Sequence, residues 1–184
     1  MPGSPFIVAF GGTLRPNSST ERLLQAVLTE AHANGAETRL FGGPDIDFPM
    51  YQPGNASAKP EVSEFLDALR SADAIVIGSP GYHGGVSGLV KNAIDYTEEM
   101  AKDTPPYFSG KRVGCLGTAF DWQSCNATLQ ALRAIVHALH GWPTPAGIAL
   151  STQTPSFDAE GVCINQELKT QIKAMAEQLL ARFA

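Results

Sequence analysis

Cysteine is scarce in this sequence, and its spacing is uninformative for metal binding. The 184 residues include three cysteines, at positions 115, 125 and 163. They form no C-x-x-C pair, and an odd number leaves at least one thiol unpaired. The spacing therefore suggests neither a disulfide framework nor a zinc site, and reduced thiols in a reducing compartment are expected.

Basic clusters and long apolar runs are also missing. Lysine and arginine total 13 against 18 acidic residues, and the net charge is -5. With no cluster of Lys or Arg, a broad surface for nucleic acid or for an anionic membrane is not expected, and a small-molecule partner is favoured. No apolar run approaches the ~20 residues of a membrane helix. Residues 1–4 lack the features of a signal peptide, so we expect a cytoplasmic protein.

Short apolar runs alternate with stretches of helical periodicity along the whole chain. The runs are 6–10, 37–41, 74–78, 112–116 and 146–150, and each is followed by a segment whose apolar residues recur every three to four positions. This alternation predicts one domain, residues 1–184, with an α/β fold in three layers. We expect a doubly wound, five-stranded parallel sheet with helices on both faces.

Three loops are expected at the carboxyl ends of these strands, where open α/β sheets bind their ligands. The first loop, residues 11–20, combines two glycines, several hydroxyls and one arginine before a helix, a composition that suits a phosphate group. The second loop, residues 79–88, is rich in glycine and contains Tyr82 and His83. The third loop, residues 117–122, is aromatic. A ligand with a phosphate at one end and a flat ring at the other fits this division.

Two common nucleotide-binding motifs are absent. The sequence contains neither G-x-G-x-x-G nor G-x-x-x-x-G-K-[ST], so a dinucleotide-binding Rossmann domain or an ATPase is disfavoured. A mononucleotide such as FMN, bound to a flavodoxin-like sheet of order 2-1-3-4-5, fits the three loops and the absence of these motifs.

Two separated motifs resemble those of the NADPH-dependent FMN reductase family, the flavodoxin-like group of flavin, quinone, chromate and azo reductases. The family's G-S-x-R-x-x-S-x-N appears at residues 12–20, with Thr13 and Thr20 as departures. Its S-P-x-Y and G-x-x-K-N-x-x-D appear at 79–82 and 88–95, and its D-x-P-x-Y at 47–51. A further departure is the third loop, where relatives commonly have a Ser/Gly-rich turn. The resemblance spans most of the chain.

The resemblance implies an enzyme that passes hydride from NADPH or NADH through N5 of FMN to an acceptor. Free flavin, quinones, azo dyes and metal oxyanions are the acceptors it implies. It also implies a homodimer or homotetramer in which segment 47–51 and the third helix lie near a neighbouring subunit. A flavodoxin-type electron carrier without NAD(P)H oxidase activity is the alternative, although the T-x-T-G-x-T loop of that group is absent.

The same resemblance assigns cofactor contacts but no side-chain catalyst, because the flavin carries the chemistry. The predicted phosphate ligands are Thr13, Arg15, Ser18, Ser19 and Thr20. The predicted ring contacts are Pro80, Gly81, Tyr82, His83, Gly84, Thr118 and Phe120. His83 is assigned an auxiliary role at most, and no metal site is expected.

Two groups of residues have structural interpretations beside the functional ones. Ser18, followed by Glu21, matches a capping box, so its hydroxyl is expected to be shared between the phosphate and the helix. Lys91, Asn92 and Asp95 lie on one side of a helix and are interpreted as positioning or interface residues rather than catalysts.

Overall fold

The structure is a computed structural model that describes residues 3–54 and 59–181. Its strands are β1 (Phe6–Gly11), β2 (Glu37–Phe41), β3 (Ala74–Tyr82), β4 (Gly85–Val86), β5 (Arg112–Ala119), β6 (Trp142–Pro143) and β7 (Ile148–Ser151). Its α-helices are α1 (Ser19–Ala33), α2 (Pro60–Ser71), α3 (Gly88–Asp95), α4 (Trp122–Ala138) and α5 (Gln166–Leu180). Short 3-10 helices cover Pro44–Ile46 and Tyr96–Met100.

The long strands form a parallel sheet in the order β2-β1-β3-β5, and β7 pairs in parallel with the second half of β5. The five predicted strands are therefore present in the predicted order, so the expected doubly wound fold is confirmed. The two-residue β6 pairs with the start of β5. A two-residue strand is too short to show any periodicity, so no sequence pattern predicts it.

Two separate apolar clusters, one on each face of the sheet, make the three layers. Buried side chains of α1 and α5 pack with Ile7, Ala9 and Val76 on one face. Those of α2, α3 and α4 pack with Val8, Phe10 and Ile75 on the other. Successive strand residues alternate between the faces, and burial on both sides explains why these strands are continuously apolar.

The third strand is longer than the apolar run that predicts it. It continues to Tyr82 and then turns back, so that β4 pairs with its end as an antiparallel hairpin. The residues added to the strand are Ser79, Pro80, Gly81 and Tyr82, which periodicity alone assigns to a loop. The second loop therefore leaves the sheet as a regular hairpin.

The segment that resembles the family's D-x-P-x-Y is tied to α3 by Asn92. The side-chain amide of Asn92 donates to the carbonyl oxygens of Phe48 at 3.1 Å and Pro49 at 3.0 Å, and its oxygen accepts from the N–H of Tyr51 at 2.8 Å. Asn92 is buried, so its positioning role is supported by direct contacts. Lys91 and Asp95 form an i, i+4 ion pair beside it.

All three cysteines are unpaired and buried. Within the described ranges, no helix combines the length and the apolar composition that a transmembrane segment needs.

Candidate functional site

The three loops leave neighbouring strands at the same edge of the sheet. Gly11 at the end of β1 is in register with Gly78 of β3, and Pro80 of β3 is in register with Thr118 of β5. Because the strands are parallel, the polar first loop lies beside the glycine-rich second loop, and the aromatic third loop lies on its far side. The carboxyl edge of β1, β3 and β5 is the candidate site.

The first loop begins with two glycines in conformations that other residues rarely adopt. Gly11 has φ 137° and Gly12 has φ 105°, and the N–H of Gly12 donates to the carbonyl of Gly78 at 3.2 Å. An added Cβ on Gly11 would overlap that same carbonyl. The chain therefore turns off the sheet immediately, which places the hydroxyls beyond it over the start of α1.

Thr13 and Arg15 form a small turn in the first loop, in which Thr13 is half-buried and Arg15 is exposed. The N–H of Arg15 donates to Oγ1 of Thr13 at 3.1 Å, and that hydroxyl lies 3.2 Å from the carbonyl oxygen of Arg15. Arg15 is exposed, and among the described residues no side chain makes an ion pair with its guanidinium. An unpaired cation beside a helix N-terminus is suited to a phosphate.

Ser18 is the N-cap of α1. Its Oγ accepts from the N–H of Glu21 at 3.3 Å and the residue is 2% exposed, so the predicted capping role is confirmed. The Oε2 atom of Glu21 is buried and has no hydrogen-bond partner in the described part of the chain. Ser19 is half-buried in the first turn. Its part in binding, like that of Ser18, stays a prediction.

Thr20 and Thr118 join the first and third loops directly. Their hydroxyl oxygens lie 2.5 Å apart, although 98 positions separate them in the chain. Both residues are buried, at 1% and 3% exposure, and the methyl group of Thr20 lies under Gly78. The pair is a buried link between the first and third loops.

We expect Thr20→Val to cost about 1–3 kcal/mol of folding free energy, because the Thr118 hydroxyl is then left buried without its partner. The double variant with Thr118→Val removes both polar groups and should recover part of that loss. A urea-unfolding double-mutant cycle measures the coupling between the two hydroxyls. Additive single effects would contradict the pairing.

The second loop contains a tight two-residue turn at its middle. His83 and Gly84, between Tyr82 and Gly85, both have positive φ, 52° and 86°, which is the pattern of a type I′ hairpin turn. Tyr82 is 56% exposed, and His83 and Gly84 are exposed as well, whereas Pro80 is buried in the strand. The turn therefore presents the two rings of Tyr82 and His83 at the edge of the sheet.

Ser79 fixes the base of this hairpin. Its Oγ accepts from the N–H of Ser87 at 3.0 Å and donates to the carbonyl of Pro80 at 2.8 Å. Ser87 in turn caps α3, since its Oγ accepts from the N–H of Val90 at 3.3 Å. The hairpin and the helix after it are thus one connected unit.

The third loop presents two aromatic side chains on an anchored backbone. Phe120 is 71% and Trp122 is 58% exposed. Between them, Asp121 caps α4, and hydrogen bonds from the backbone and side chain of Ser124 hold the pKa of its carboxyl below the ordinary value. The hydroxyl of Ser151 donates to the carbonyl of Phe120 at 2.7 Å. The rings are therefore exposed although the loop that carries them is held in place.

The thiol of Cys125 lies beneath this loop as a buried donor. Its Sγ is 3.0 Å from the carbonyl oxygen of Leu150 and 3.5 Å from that of Ala119. Burial raises the pKa of this thiol, so the protonated form is favoured. We interpret Cys125 as structural.

The residues present fit a flavin mononucleotide at both ends of the site. At the phosphate end, the Thr13 turn, the exposed Arg15 guanidinium and the N-terminus of α1 suit a dianion. At the ring end, Cβ atoms added to Gly84 or Gly85 would meet nothing within 4 Å, so the outer face of the turn is open to a flat ring. The donors at each end match the chemistry of the group they would meet.

Gly43 is a residue of this site that the sequence did not reveal. It follows β2, the neighbour of β1, and its backbone touches Gly12 and Thr13 so closely that an added Cβ would overlap the Thr13 carbonyl. Its position at the carboxyl end of a strand adjacent to β1 was the available signal. The contact itself depends on how two loops meet in space.

The chain matches the family model described as NADPH-dependent FMN reductase over residues 5–155. Among curated proteins it is similar to an FMN-dependent NADPH-azoreductase of Staphylococcus aureus (strain USA300). The two are 26% identical over 168 residues, which cover 89% of this chain and 86% of that protein.

Solved structures show the same fold. FerB, a flavoenzyme NAD(P)H:(acceptor) oxidoreductase from Paracoccus denitrificans, superposes with a TM-score of 0.73 at 17% identity, covering 95% of this chain and 97% of that one. An NADH:FMN oxidoreductase in its apo form gives 0.71 at 20% identity, covering 94% and 89%. A flavodoxin from Streptococcus pneumonia gives 0.62 at 15% identity, covering 95% and 97%.

Proposed function

The chain belongs to the NADPH-dependent FMN reductase family, and from that premise we propose that it reduces planar, conjugated acceptors such as quinones, azo dyes or free flavin. As a member of this family it is an FMN-dependent NAD(P)H oxidoreductase. The choice of acceptor is the proposal.

The chain's own residues divide the binding of FMN between two ends. Arg15, Thr13 and the N-terminus of α1 would hold the phosphate, and the Tyr82–Gly85 turn would lie against the ring with its N–H groups toward developing negative charge. When bound, FMN supplies the chemistry: its N5 position accepts hydride from the nicotinamide, and the two electrons then pass to the acceptor. The protein orients these partners, excludes water and needs no nucleophile. His83, at the exposed tip of the turn, is proposed as an auxiliary contact.

The observation that supports a planar acceptor is the set of exposed aromatic rings around the site. Tyr82, Phe120 and Trp122 are each more than half exposed, and all lie at the carboxyl edge of β3 and β5. Exposed rings on anchored loops are suited to stacking against flat molecules. A metal oxyanion would gain little from them, since it has no apolar face.

A steady-state assay tests the function. Purified protein loaded with FMN should oxidise NADPH or NADH when a quinone, an azo dye or free FMN is supplied, and should be slower with chromate. Oxidation supported by chromate alone would overturn the proposed acceptor class. Failure with every acceptor would favour the flavodoxin-type electron carrier. The same assay measures the preference between NADH and NADPH.

We expect Trp122→Ala to raise the KM for a quinone roughly 3- to 10-fold, the range expected for the loss of one aromatic stacking partner. Trp142→Ala is a matched control, because Trp142 is 59% exposed but pairs with the start of β5, at the opposite edge of the sheet. Equal effects of the two substitutions would argue against an acceptor wall at Trp122.

We also propose that the protein is a cytoplasmic homo-oligomer. Met50, 78% exposed, lies in the 47–51 segment that Asn92 fixes to α3, and an exposed apolar side chain on a fixed segment suits a subunit contact. Light scattering after size exclusion measures the oligomer, and a Met50→Glu variant should shift it toward the monomer. Cell fractionation tests the location.

A further inference from the structure

Thr128, in the middle of α4, touches both arms of the Tyr82–Gly85 hairpin. Its Oγ1 lies 3.3 Å from the carbonyl oxygen of Gly85, on the returning arm, and 2.8 Å from that of Ser124 one helical turn earlier. The side chain is fully buried. A hydroxyl has one hydrogen, so it shares that hydrogen between its own helix and the hairpin.

The outgoing arm meets the same oxygen atom. A Cβ added to Gly81 would lie 2.5 Å from Oγ1 of Thr128 and 3.0 Å from the carbonyl oxygen of Ser124. The strand backbone is therefore pressed against α4 at this point, and no other residue type fits at position 81 without movement. The backbones of Gly81 and Gly85, on opposite arms, therefore both lie against the hydroxyl of Thr128.

The base of the hairpin has a second side-chain support. Ser79 anchors the beginning of the loop through Ser87, whereas Tyr82, His83 and Gly84 are exposed at the tip. Thr128 therefore provides the side-chain support nearest the tip among the described residues.

We infer that Thr128 is a positioning residue that fixes the position of the 82–85 turn relative to the sheet. Through this position it sets the affinity for the flavin and the reduction potential of the bound flavin. The inference rests on the proposed function. A turn held in place offers its N–H groups at a fixed distance, and a fixed dipole stabilises added negative charge on the ring better than a mobile one. Loss of the hydroxyl should weaken binding of reduced FMN more than that of oxidised FMN.

The first experiment needs no FMN. Amide hydrogen exchange of the FMN-free protein should be about three- to ten-fold faster at residues 82–86 in Thr128→Val than in the parent, since one hydrogen bond to the hairpin is lost. Thr97→Val is the matched control: Thr97 is also buried and donates to the carbonyl of Ile94 at 2.7 Å, but it lies outside the site. It should leave exchange at 82–86 unchanged.

The second experiment compares Thr128→Ser with Thr128→Ala, which differ by the hydroxyl alone and which serve if the valine variant folds poorly. Titrations with oxidised and with reduced FMN should give near-parental affinities for the serine variant. The alanine variant should bind oxidised FMN about three-fold more weakly and reduced FMN about ten-fold more weakly, with a correspondingly lower midpoint potential.

The outcomes distinguish a failure of the role of Thr128 from a failure of the proposed function. Unchanged exchange at 82–86 together with an unchanged ratio of affinities would overturn the role of Thr128. A parent protein that binds no FMN would overturn the proposed function, yet the exchange experiment would still decide whether Thr128 supports the hairpin.

Discussion

Arg15→Ala should weaken FMN binding by about 1.5–3 kcal/mol, because it removes a charged hydrogen-bond donor from the phosphate. This corresponds to a roughly 10- to 150-fold rise in Kd. Arg15 is exposed and makes no ion pair with a described residue, so its removal leaves no buried charge behind and should leave folding stability nearly unchanged. Fluorescence titration of the FMN-free protein measures the affinity.

Riboflavin provides the control, since it has the same ring and no phosphate. Parent and Arg15→Ala should bind riboflavin equally. The Arg15→Lys variant keeps the charge but loses the planar fork of donors, so its affinity for FMN should be intermediate. If FMN binds Arg15→Ala as tightly as the parent, the phosphate does not lie at this loop.

Gly43→Ala should cost roughly 3 kcal/mol of folding free energy, the upper part of the range for overpacking. The new methyl group would overlap the carbonyl of Thr13, and since both partners are backbone, neither can rotate away. The first loop must shift, so FMN affinity should fall as well. Urea unfolding and FMN titration measure the two effects.

Gly42→Ala is the adjacent control. The nearest atom to a Cβ at position 42 is Oδ2 of Asp45 at 3.6 Å, an ordinary contact. This variant should stay close to the parent in both measurements. Equal losses for the two alanine variants would show that general flexibility of the 42–43 segment matters, and not the contact with Thr13.

The fold could be predicted from the sequence because burial on both faces makes parallel strands continuously apolar. Residues 74–77, for example, are almost entirely buried, and their composition alone predicts a central strand. The capping role of Ser18 was accessible for a similar reason, since a cap and its helix are neighbours in the chain. Interactions between residues that are close in the chain can therefore be predicted from the sequence.

The candidate site could be predicted from the sequence only in part. The sequence placed Thr13, Arg15, Tyr82 and Phe120 on three loops that the structure brings to one edge. It predicted that Thr20 and Thr118 contact the ligand, and the structure shows that their hydroxyls are also hydrogen-bonded to each other. Whether they also touch the cofactor stays a prediction.

Periodicity predicted the strands and helices, and the spacing of the motifs indicated the family, its strand order and the loops of the site, because these patterns are read along neighbouring residues. That Gly43 limits the first loop, that Thr20 pairs with Thr118 and that Thr128 contacts the hairpin became visible only in the folded chain. Each of these contacts joins segments that lie about 30 to 100 residues apart in the chain. Such a contact depends on how elements pack, and packing leaves no local pattern in the sequence.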